Sequence, residues 1–207
     1  ARFTSNDPLA CEVTIDSFGP NVSDLTLEDD TGESPTDGLT SNTMPTLSWS
    51  PTDDLGLWKS QWRLDAGEWQ DTFDTTATLE LSEGSHTFEV RAIDLAGNVS
   101  DVAAQNVTVD AAAPVVEDLI LQNDTGESST DGTTSDSTLS FAWTASDNVG
   151  IWCHQYRLDG GEWQDKDITL VQLAVEEGEH VFEVRAIDLA GNVSAPSPSN
   201  HGSNMSG

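Results

Sequence analysis

The feature that most constrains the fold of this chain is an internal repeat with an offset of 94 residues. The segment DLTLEDDTGESPTDGLTS at 24–41 aligns with DLILQNDTGESSTDGTTS at 118–135, and FEVRAIDLAGNVS occurs unchanged at 88–100 and 182–194. The alignment needs no gap from residue 20 to residue 100, and about 46 of the 81 aligned residues are identical. A repeat of this length is one supersecondary unit copied whole. We therefore predict two copies of one domain.

Each copy has the pattern of short β-strands. TLSWS, KSQWRLD, TLELSE and HTFEVRAID in the first copy are separated by Gly, Asp and Pro clusters, and LDAGEW and LDGGEW are typical of tight hairpins. No segment of useful length has a helical period. About seven short strands in about 94 residues is the pattern of an immunoglobulin-like or fibronectin III-like sandwich. The predicted fold is therefore all-β, with two tandem sandwiches and one additional N-terminal strand.

The hairpin and the following strand carry a family resemblance. WRLDAGEWQ and EGSHTFEVRAIDLAGNVS in the first copy, with YRLDGGEWQ and EGEHVFEVRAIDLAGNVS in the second, resemble the bacterial Ig-like repeats of large surface and secreted proteins, including adhesin rods. The resemblance covers nearly all of both copies. It implies an exported protein made of spacers, stalks or adhesive modules, and it implies calcium bound between or within repeats. Such a fold does not by itself specify a task.

The charge of the chain limits its partners. Thirty-seven acidic residues against seven basic ones give a formal net charge of -30, which disfavours nucleic acid and favours cations. Apolar residues at 36% are too many for a disordered acidic tail. No run of about eighteen apolar residues exists, so we expect no membrane span. Ala1 and the scarcity of Lys suit a mature exported protein whose leader has been removed, so we expect an extracellular or cell-surface location.

The last strand of the sandwich, strand G, differs between the copies. In copy one it is VAAQNVTVD at 102–110, whereas copy two has APSPSNHGSNMSG at the matching place, with two prolines and no apolar alternation. We predict that copy two lacks its own strand G. The segment LACEVTID at 9–16, called the stub below, aligns with strand G of copy one. Leu9, Cys11, Val13 and Ile15 align with Ala103, Gln105, Val107 and Val109.

The stub predicts an assembly. It ends four residues before copy one, and copy two of the same chain lies on the order of 40 Å away, because a sandwich strand of about twelve residues has this length. The stub is therefore predicted to complete copy two of a neighbouring molecule through Leu9, Cys11, Val13 and Ile15, as donor strands do. The predicted divisions are a donor strand at 1–19, copy one at 20–113 and copy two at 114–207. The predicted function is a structural subunit of an extracellular filament, with a role in adhesion or biofilm.

Other hypotheses remain open at this point. A calcium-rigidified rod segment of a large surface adhesin would also begin with the last strand of a preceding repeat. The triplet DTG at 30–32 and 124–126 is found in two-lobed aspartic proteases, but its acidic and polar neighbours favour a solvated loop, so we expect no enzyme. A disulfide between Cys11 of one subunit and Cys153 of the next would lock the polymer, although the two side chains are predicted to face opposite ways.

Acidic loops predict a metal site. In a sandwich the A–B and E–F loops lie at the far end and the B–C and F–G loops at the entry end, so loops of both copies should meet at the junction. The residues predicted there are Asp29, Asp30, Glu33, Asp37, Glu83, Asp110, Asp147, Asp188 and Asn192. Such a junction repels itself without a cation, and hard oxygen ligands favour calcium. A merely solvated acidic face is the competing interpretation. The equal links 16–20 and 110–114 predict that a junction between subunits imitates the one within a subunit.

Overall fold

The computed structural model describes residues 12–198, and every regular element in that range is a β-strand. The strands of copy one are β1 Asn21–Leu27, β2 Leu39–Thr40, β3 Thr46–Thr52, β4 Leu57–Leu64, β5 Gln70–Thr72, β6 Thr76–Thr78, β7 Gly84–Asp94 and β8 Ala103–Val109. Those of copy two are β9 Val115–Leu121, β10 Thr138–Ser146, β11 Ile151–Leu158, β12 Gln164–Lys166, β13 Leu170–Ala174, β14 Phe182–Asp188 and β15 Ser197–Pro198. The prediction of an all-β chain is confirmed.

The chain divides into two compact units, which are described separately. The first unit comprises Ala1–Thr26, Ser48–Ala77 and Thr87–Gln105, and the second comprises Leu27–Leu47, Thr78–His86 and Asn106–Gly207. This division does not follow the sequence repeat, because the second unit combines part of copy one with the whole of copy two. The domain limits predicted from the repeat therefore stay predictions.

In the first unit the aromatic side chains form the core. The ring of Phe88 lies 5.8 Å from Trp49 and 5.8 Å from Trp62, centroid to centroid, and the Trp49 indole N–H donates to the hydroxyl of Ser60 over 3.2 Å. The turn between β4 and β5 places Asp65 and Ala66 in the left-handed region, with φ of 49° and 57°. Left-handed conformation at both central residues is the signature of a type I′ turn, so the tight hairpin predicted from LDAGEW is confirmed.

In the second unit copy two forms a sandwich of two sheets, with strand orders β13-β10-β9 and β12-β11-β14-β15. One sheet contributes Leu119, Phe141 and Val171 to the core, and the other contributes Tyr156, Phe182 and Val184. The rings of Phe141 and Phe182 stack across the core with centroids 4.1 Å apart. Alternate strand residues face inward, because successive side chains of a strand point to opposite faces.

The last strand differs between the copies, as the sequence indicated, but less completely. Copy one has the sheet order β2-β8-β7-β4-β5, so its seven-residue strand β8 pairs along β7. In copy two Ser197 pairs with Val184 and Pro198 with Glu183, which gives β15 the position of the first two residues of β8. Two residues therefore pair where the sequence predicted no strand G, because a backbone ladder can form even where the side chains are unsuitable, and the prediction for the rest of the segment stays a prediction. Residues 199–207 lie outside the described residues.

The predicted N-terminal strand is not formed over residues 12–16, where the structure assigns no strand. Val13 and Ile15 are 76% and 84% exposed. An extended segment becomes a strand only when a second edge supplies backbone partners. Leu9 and Cys11 lie outside the described residues, so the predictions on them are not addressed.

The two copies differ at one buried polar pair. Where copy one has Ser60, copy two has His154, whose Nδ1 accepts a hydrogen bond from the Trp143 indole over 3.3 Å. His154 is buried, and burial lowers its pKa. The ring is therefore neutral in the folded chain at a pH where an unfolded histidine binds a proton.

We expect His154→Ser to reduce the acid sensitivity of copy two. With a folded pKa below the unfolded value of about 6.5, the stability contributed by neutral His154 is complete above that pH and is lost as the pH falls towards the folded pKa. Serine supplies the acceptor that Ser60 supplies in copy one. Chemical denaturation of both proteins between pH 8 and pH 4 measures the effect. Parallel curves of unfolding free energy against pH would contradict it.

Candidate metal centre

Three aspartates of the second unit bring their carboxylates together. Asp110 follows β8, Asp147 follows β10, and Asp188 is the last residue of β14. One carboxylate oxygen from each lies within 4.8 Å of the others. Asp110 and Asp188 are fully buried, whereas Asp147 is half-buried. Three negative groups at this spacing repel one another unless a cation or protons intervene.

Local hydrogen bonds hold two of the three carboxylates in place. Oδ1 of Asp147 accepts from the backbone N–H groups of Val149 over 2.9 Å and Gly150 over 3.1 Å. Asp188 accepts from Asn192 twice, from its backbone N–H over 2.8 Å and from its side-chain amide over 2.9 Å. These bonds fix the loops after β10 and β14, because Asp side chains readily cap tight turns.

Asp110 is held differently, and one of its oxygens is left over. Its Oδ1 accepts from the backbone N–H of Ala112 and from the amide of Asn148, each over 3.2 Å. Its Oδ2 is buried and has no hydrogen-bond partner among the residues that the structure describes. A buried carboxylate oxygen without a donor is costly, and in native proteins it commonly marks the place of an ion or a water molecule.

The electrostatics around Asp110 agree with this geometry. Burial raises the pKa of Asp110, and Glu83 and Asp147 raise it further, whereas the bonds from Asn148 and Ala112 act in the opposite direction. Among the described residues, the donors that bond these three carboxylates are backbone N–H groups and the amides of Asn148 and Asn192, all of which are uncharged. A divalent cation would remove this repulsion, and oxygen-only donors are the ligands of calcium.

Of the nine residues predicted as metal ligands, three form this cluster and two contact it. Asn192 donates its side-chain amide to the backbone oxygen of Asp110 over 2.7 Å. Glu83 accepts from the backbone N–H of Ala111 over 3.0 Å and from Asn148 over 3.5 Å. These contacts place both residues beside the cluster rather than within it.

Of the other four predicted ligands, Asp29, Asp30 and Asp37 bind nearby backbone N–H groups through their carboxylates, and Glu33 is held through its own backbone. Asp29 accepts from the N–H of Thr46 over 3.2 Å, Asp30 from Gly38 over 2.9 Å, and Asp37 from Leu39 over 3.0 Å. The backbone N–H of Glu33 donates to the carbonyl of Leu189 over 3.2 Å. The structure does not bring these four carboxylates to the three-aspartate cluster.

Sequence reasoning missed Asn148, which bonds both Asp110 and Glu83. Its signal was available in the repeat, because Asn148 aligns with Asp54 of copy one and so occupies a position that is acidic in the other copy. The first unit contains a similar group with a different third member, because Asp16 and Asp53 align with Asp110 and Asp147, whereas Asp54 aligns with Asn148 and not with Asp188. Asp16, Asp53 and Asp54 also place carboxylate oxygens within 4.8 Å of one another, with more exposure than the first cluster.

The DTG triplet of copy one is a packing loop within the second unit. Thr31 donates its hydroxyl to the carbonyl of Ala190 over 2.7 Å. Gly32 has a φ of +93°, and a Cβ built on it would lie only 2.0 Å from the carbonyl oxygen of Leu189. Only glycine permits this approach, so the triplet meets the DLAGN loop of copy two through its shape.

No helix among residues 12–198 has the length and the apolar character needed to cross a lipid bilayer.

Comparisons with known proteins agree with the two-copy architecture. Chitinase A1 of Niallia circulans is 36% identical over 192 residues, which represent 88% of this chain and 26% of that protein. The chain thus spans about a quarter of this relative. The fibronectin(III)-like modules of Clostridium thermocellum CbhA superpose with a TM-score of 0.52 and 17% identity, over 84% of this chain and 90% of that chain, and so show the fold alone.

The family itself is shown by sequence. The model of the bacterial Ig-like domain matches residues 14–111 and again residues 111–200. These two matches confirm the predicted tandem of Ig-like or fibronectin III-like sandwiches. The chain belongs to the bacterial Ig-like domain family.

Proposed function

We propose that this chain is a non-catalytic structural subunit of an extracellular filament, in which subunits join head to tail and calcium braces each junction. The observation that carries the proposal is a pair of matching loops. The DTG loop and the DLAGN loop contact each other once inside the second unit, and each has a second copy whose contact surface is open.

Two loops have open contact surfaces. One is the DTG loop of copy two, which carries Thr125 and Gly126, and the other is the DLAGN loop of copy one, which carries Ala96 and Gly97. Ala190 is fully buried beside the first DTG loop, whereas its counterpart Ala96 is exposed. A Cβ built on Gly97 would meet nothing within 4 Å, and one on Gly126 would meet only the Thr133 carbonyl, at 3.7 Å. The same pair of loops is thus in contact within the second unit and exposed elsewhere in the chain. Such a pair suits a head-to-tail contact that repeats from subunit to subunit without closing into a ring.

The link before copy one repeats the link before copy two. Asn98 bonds Asp94 through its backbone N–H over 2.8 Å and through its amide over 2.7 Å, as Asn192 bonds Asp188. The same amide lies 3.4 Å from the backbone oxygen of Asp16, as that of Asn192 lies near Asp110. A preceding domain would therefore meet copy one through the residue types used within the second unit.

Calcium fits the three-aspartate cluster by its donor set. Asp110, Asp147 and Asp188 would hold the ion, and the unpartnered Oδ2 of Asp110 is the oxygen that most needs it. The ion would supply positive charge to buried carboxylates and would link the end of β8 to the loops after β10 and β14. A ligand that binds only the folded chain stabilises it by mass action.

A second candidate function follows from the coverage of the chitinase. Because the chain spans 26% of Chitinase A1, equivalent tandem domains can serve as accessory modules of a longer secreted enzyme. In that case, or in the rod of a large adhesin, the open loops would meet neighbouring domains of the same polypeptide. Both candidates require an extracellular location and calcium-braced junctions, but only the filament requires the isolated chain to assemble.

We expect calcium to raise the melting temperature of the full chain, and Asp110→Asn to abolish that increase. At a hundredfold excess over its dissociation constant the ion contributes about 2.7 kcal/mol, or roughly 5–10 °C for a chain of about 200 residues. Calorimetry in chelator and in calcium measures the shift. Asp37→Asn is the matched control, because Asp37 bonds only Leu39 among the contacts described above and should leave the shift unchanged.

Without metal, we expect Asp110→Asn to change the melting temperature in the opposite direction. In chelator Asp110→Asn removes a buried, unpaired charge while it keeps the side-chain volume, so we expect it to melt at or above the temperature of the parent chain. A parent chain whose melting curve is the same in calcium and in chelator would contradict the proposed metal site.

For the filament itself, we expect the purified chain to form linear polymers in calcium, and Ala96→Arg to remain a folded monomer. Arginine at this exposed position blocks the surface that Ala190 uses within the second unit. Electron microscopy and sedimentation velocity report assembly, and circular dichroism reports folding. Thr76→Arg, at an exposed site on β6, is the control and should still polymerise. Polymers of unchanged length from Ala96→Arg, or a parent chain that stays monomeric, would refute head-to-tail assembly through this loop.

A further inference from the structure

In copy one the end of strand β8 fills a cleft of the second unit. The backbone N–H of Thr108 donates to Gly38 over 2.7 Å, and that of Asp110 donates to Thr40 over 3.0 Å. Val107 and Val109 are each 1% exposed and cover the core. The short strand β2 exists because its two residues, Leu39 and Thr40, pair in parallel with Thr108 and Val109.

Among the described residues, copy two has a groove where copy one has this strand. The groove has a volume of about 880 Å³ and is lined by residues 132–137, residues 175–181 and the core side chains Leu121, Leu139 and Phe141. In copy one the end of β8 is flanked by residues 38–43 on one side and by residues 82–87 on the other. The groove residues 132–137 and 176–181 align with these two segments. The structure assigns no strand to residues 133–134, the counterparts of β2. The side chains around the groove are also less buried, since Leu173 and Val175 are half-exposed where Leu79 and Leu81 are buried.

The stub has the side chains that this groove lacks. Val13 and Ile15 align with Val107 and Val109, and Asp16 aligns with Asp110. Val13 and Ile15 are exposed in the structure, which leaves two large apolar side chains in water beside an acidic chain surface. Their alternation matches the inward face of β8, because side chains two apart in a strand share one face.

The C-terminal segment of the same chain is a poor filler. Strand β15 occupies the positions of Ala103 and Ala104, and the residues that follow it align His201 and Ser203 with Val107 and Val109. A histidine and a serine cannot replace two valines against a core of leucine and phenylalanine. Residues 12–16 of the stub align beyond Ala104 and take positions along the edge that β15 leaves free, whereas residues 9 and 10 align with the two positions of β15.

We infer that the groove between residues 132–137 and 175–181 is the acceptor for the stub of a second copy of this chain, which enters as a strand parallel to residues 133–134. Val13 and Ile15 cover Leu139 and Phe141, and the backbone N–H groups of Thr14 and Asp16 donate to the carbonyls of Gly132 and Thr134. The inference deepens the proposed function and rests on it, since it names the segment and the pocket that join two subunits. It also places Asp16 of the incoming chain where Asp110 stands in copy one.

The test uses a labelled peptide of residues 9–16 with Cys11→Ser, titrated into the full chain that carries Val13→Asp and Ile15→Asp. Those two changes disable the chain's own stub and leave the groove untouched. We expect saturable binding by fluorescence anisotropy, with slower hydrogen exchange at residues 132–136 and 181–184. A peptide that carries the same two aspartates should bind at least about tenfold more weakly, because each loses the burial of a large apolar side chain.

The outcomes separate this inference from the filament. Binding with protection at the groove supports the inference, and if the parent chain nevertheless forms no polymers, the filament fails alone. Polymers that persist when Val13 and Ile15 are both aspartate overturn the inference while the filament stands. No peptide binding, or protection at other residues, also overturns it. If binding appears only after residues 199–207 are replaced by glycine and serine, the chain's own tail fills the groove and the inference is overturned.

Discussion

The closing strand of the sandwich is the interaction on which the other features depend. In copy one β8 supplies Val107 and Val109 to the core, pairs with β2, and ends at Asp110. The backbone bond from Asp110 to Thr40 fixes the position at which the chain leaves one domain, and the side chain of the same residue enters the three-aspartate cluster. Core closure and the candidate metal centre therefore share one strand, and a change in its register would move both.

In the proposed filament the same constraint would give the chain a reason to associate, because the described part of copy two holds only two residues of a closing strand. A sheet edge beside an exposed part of the core invites pairing with another strand. Under the proposed function, the groove, the exposed Val13 and Ile15, and the repeated DTG and DLAGN loops would together form the contact between subunits. The high acidic charge would suit such a junction, since bound calcium would then couple the proposed assembly to the ionic conditions around the chain.

The sequence predicted the parts of this account that follow from repetition. The alternation of apolar and polar residues, together with the turn residues, sufficed to predict the all-β fold and the hairpin at Asp65 and Ala66. The order of the strands placed Asp110, Asp147 and Asp188 at one end of copy two. It could not separate these three from Asp29, Asp30 and Asp37, because all lie in loops predicted at the same junction and only hydrogen bonding distinguishes them. Asn148 was missed although it aligns with the acidic Asp54, because the residues predicted from the loops of copy two were Asp147, Asp188 and Asn192 alone. The two-residue strand β15 could not be foreseen, since backbone pairing needs no apolar pattern.

Site-directed disulfide formation between two differently tagged chains tests the central claim most directly. In copy one Thr108 pairs with Leu39, so the account predicts that Thr14 of one chain lies beside Thr133 of another. With both native cysteines replaced by serine, Thr14→Cys in one chain and Thr133→Cys in the other should give a covalent dimer on mild oxidation, because neighbouring strands bring Cα atoms to about 5–6 Å. A control pair with Thr76→Cys in place of Thr133→Cys should stay monomeric. Absence of the mixed dimer, with both thiols shown to be reactive, would contradict the account.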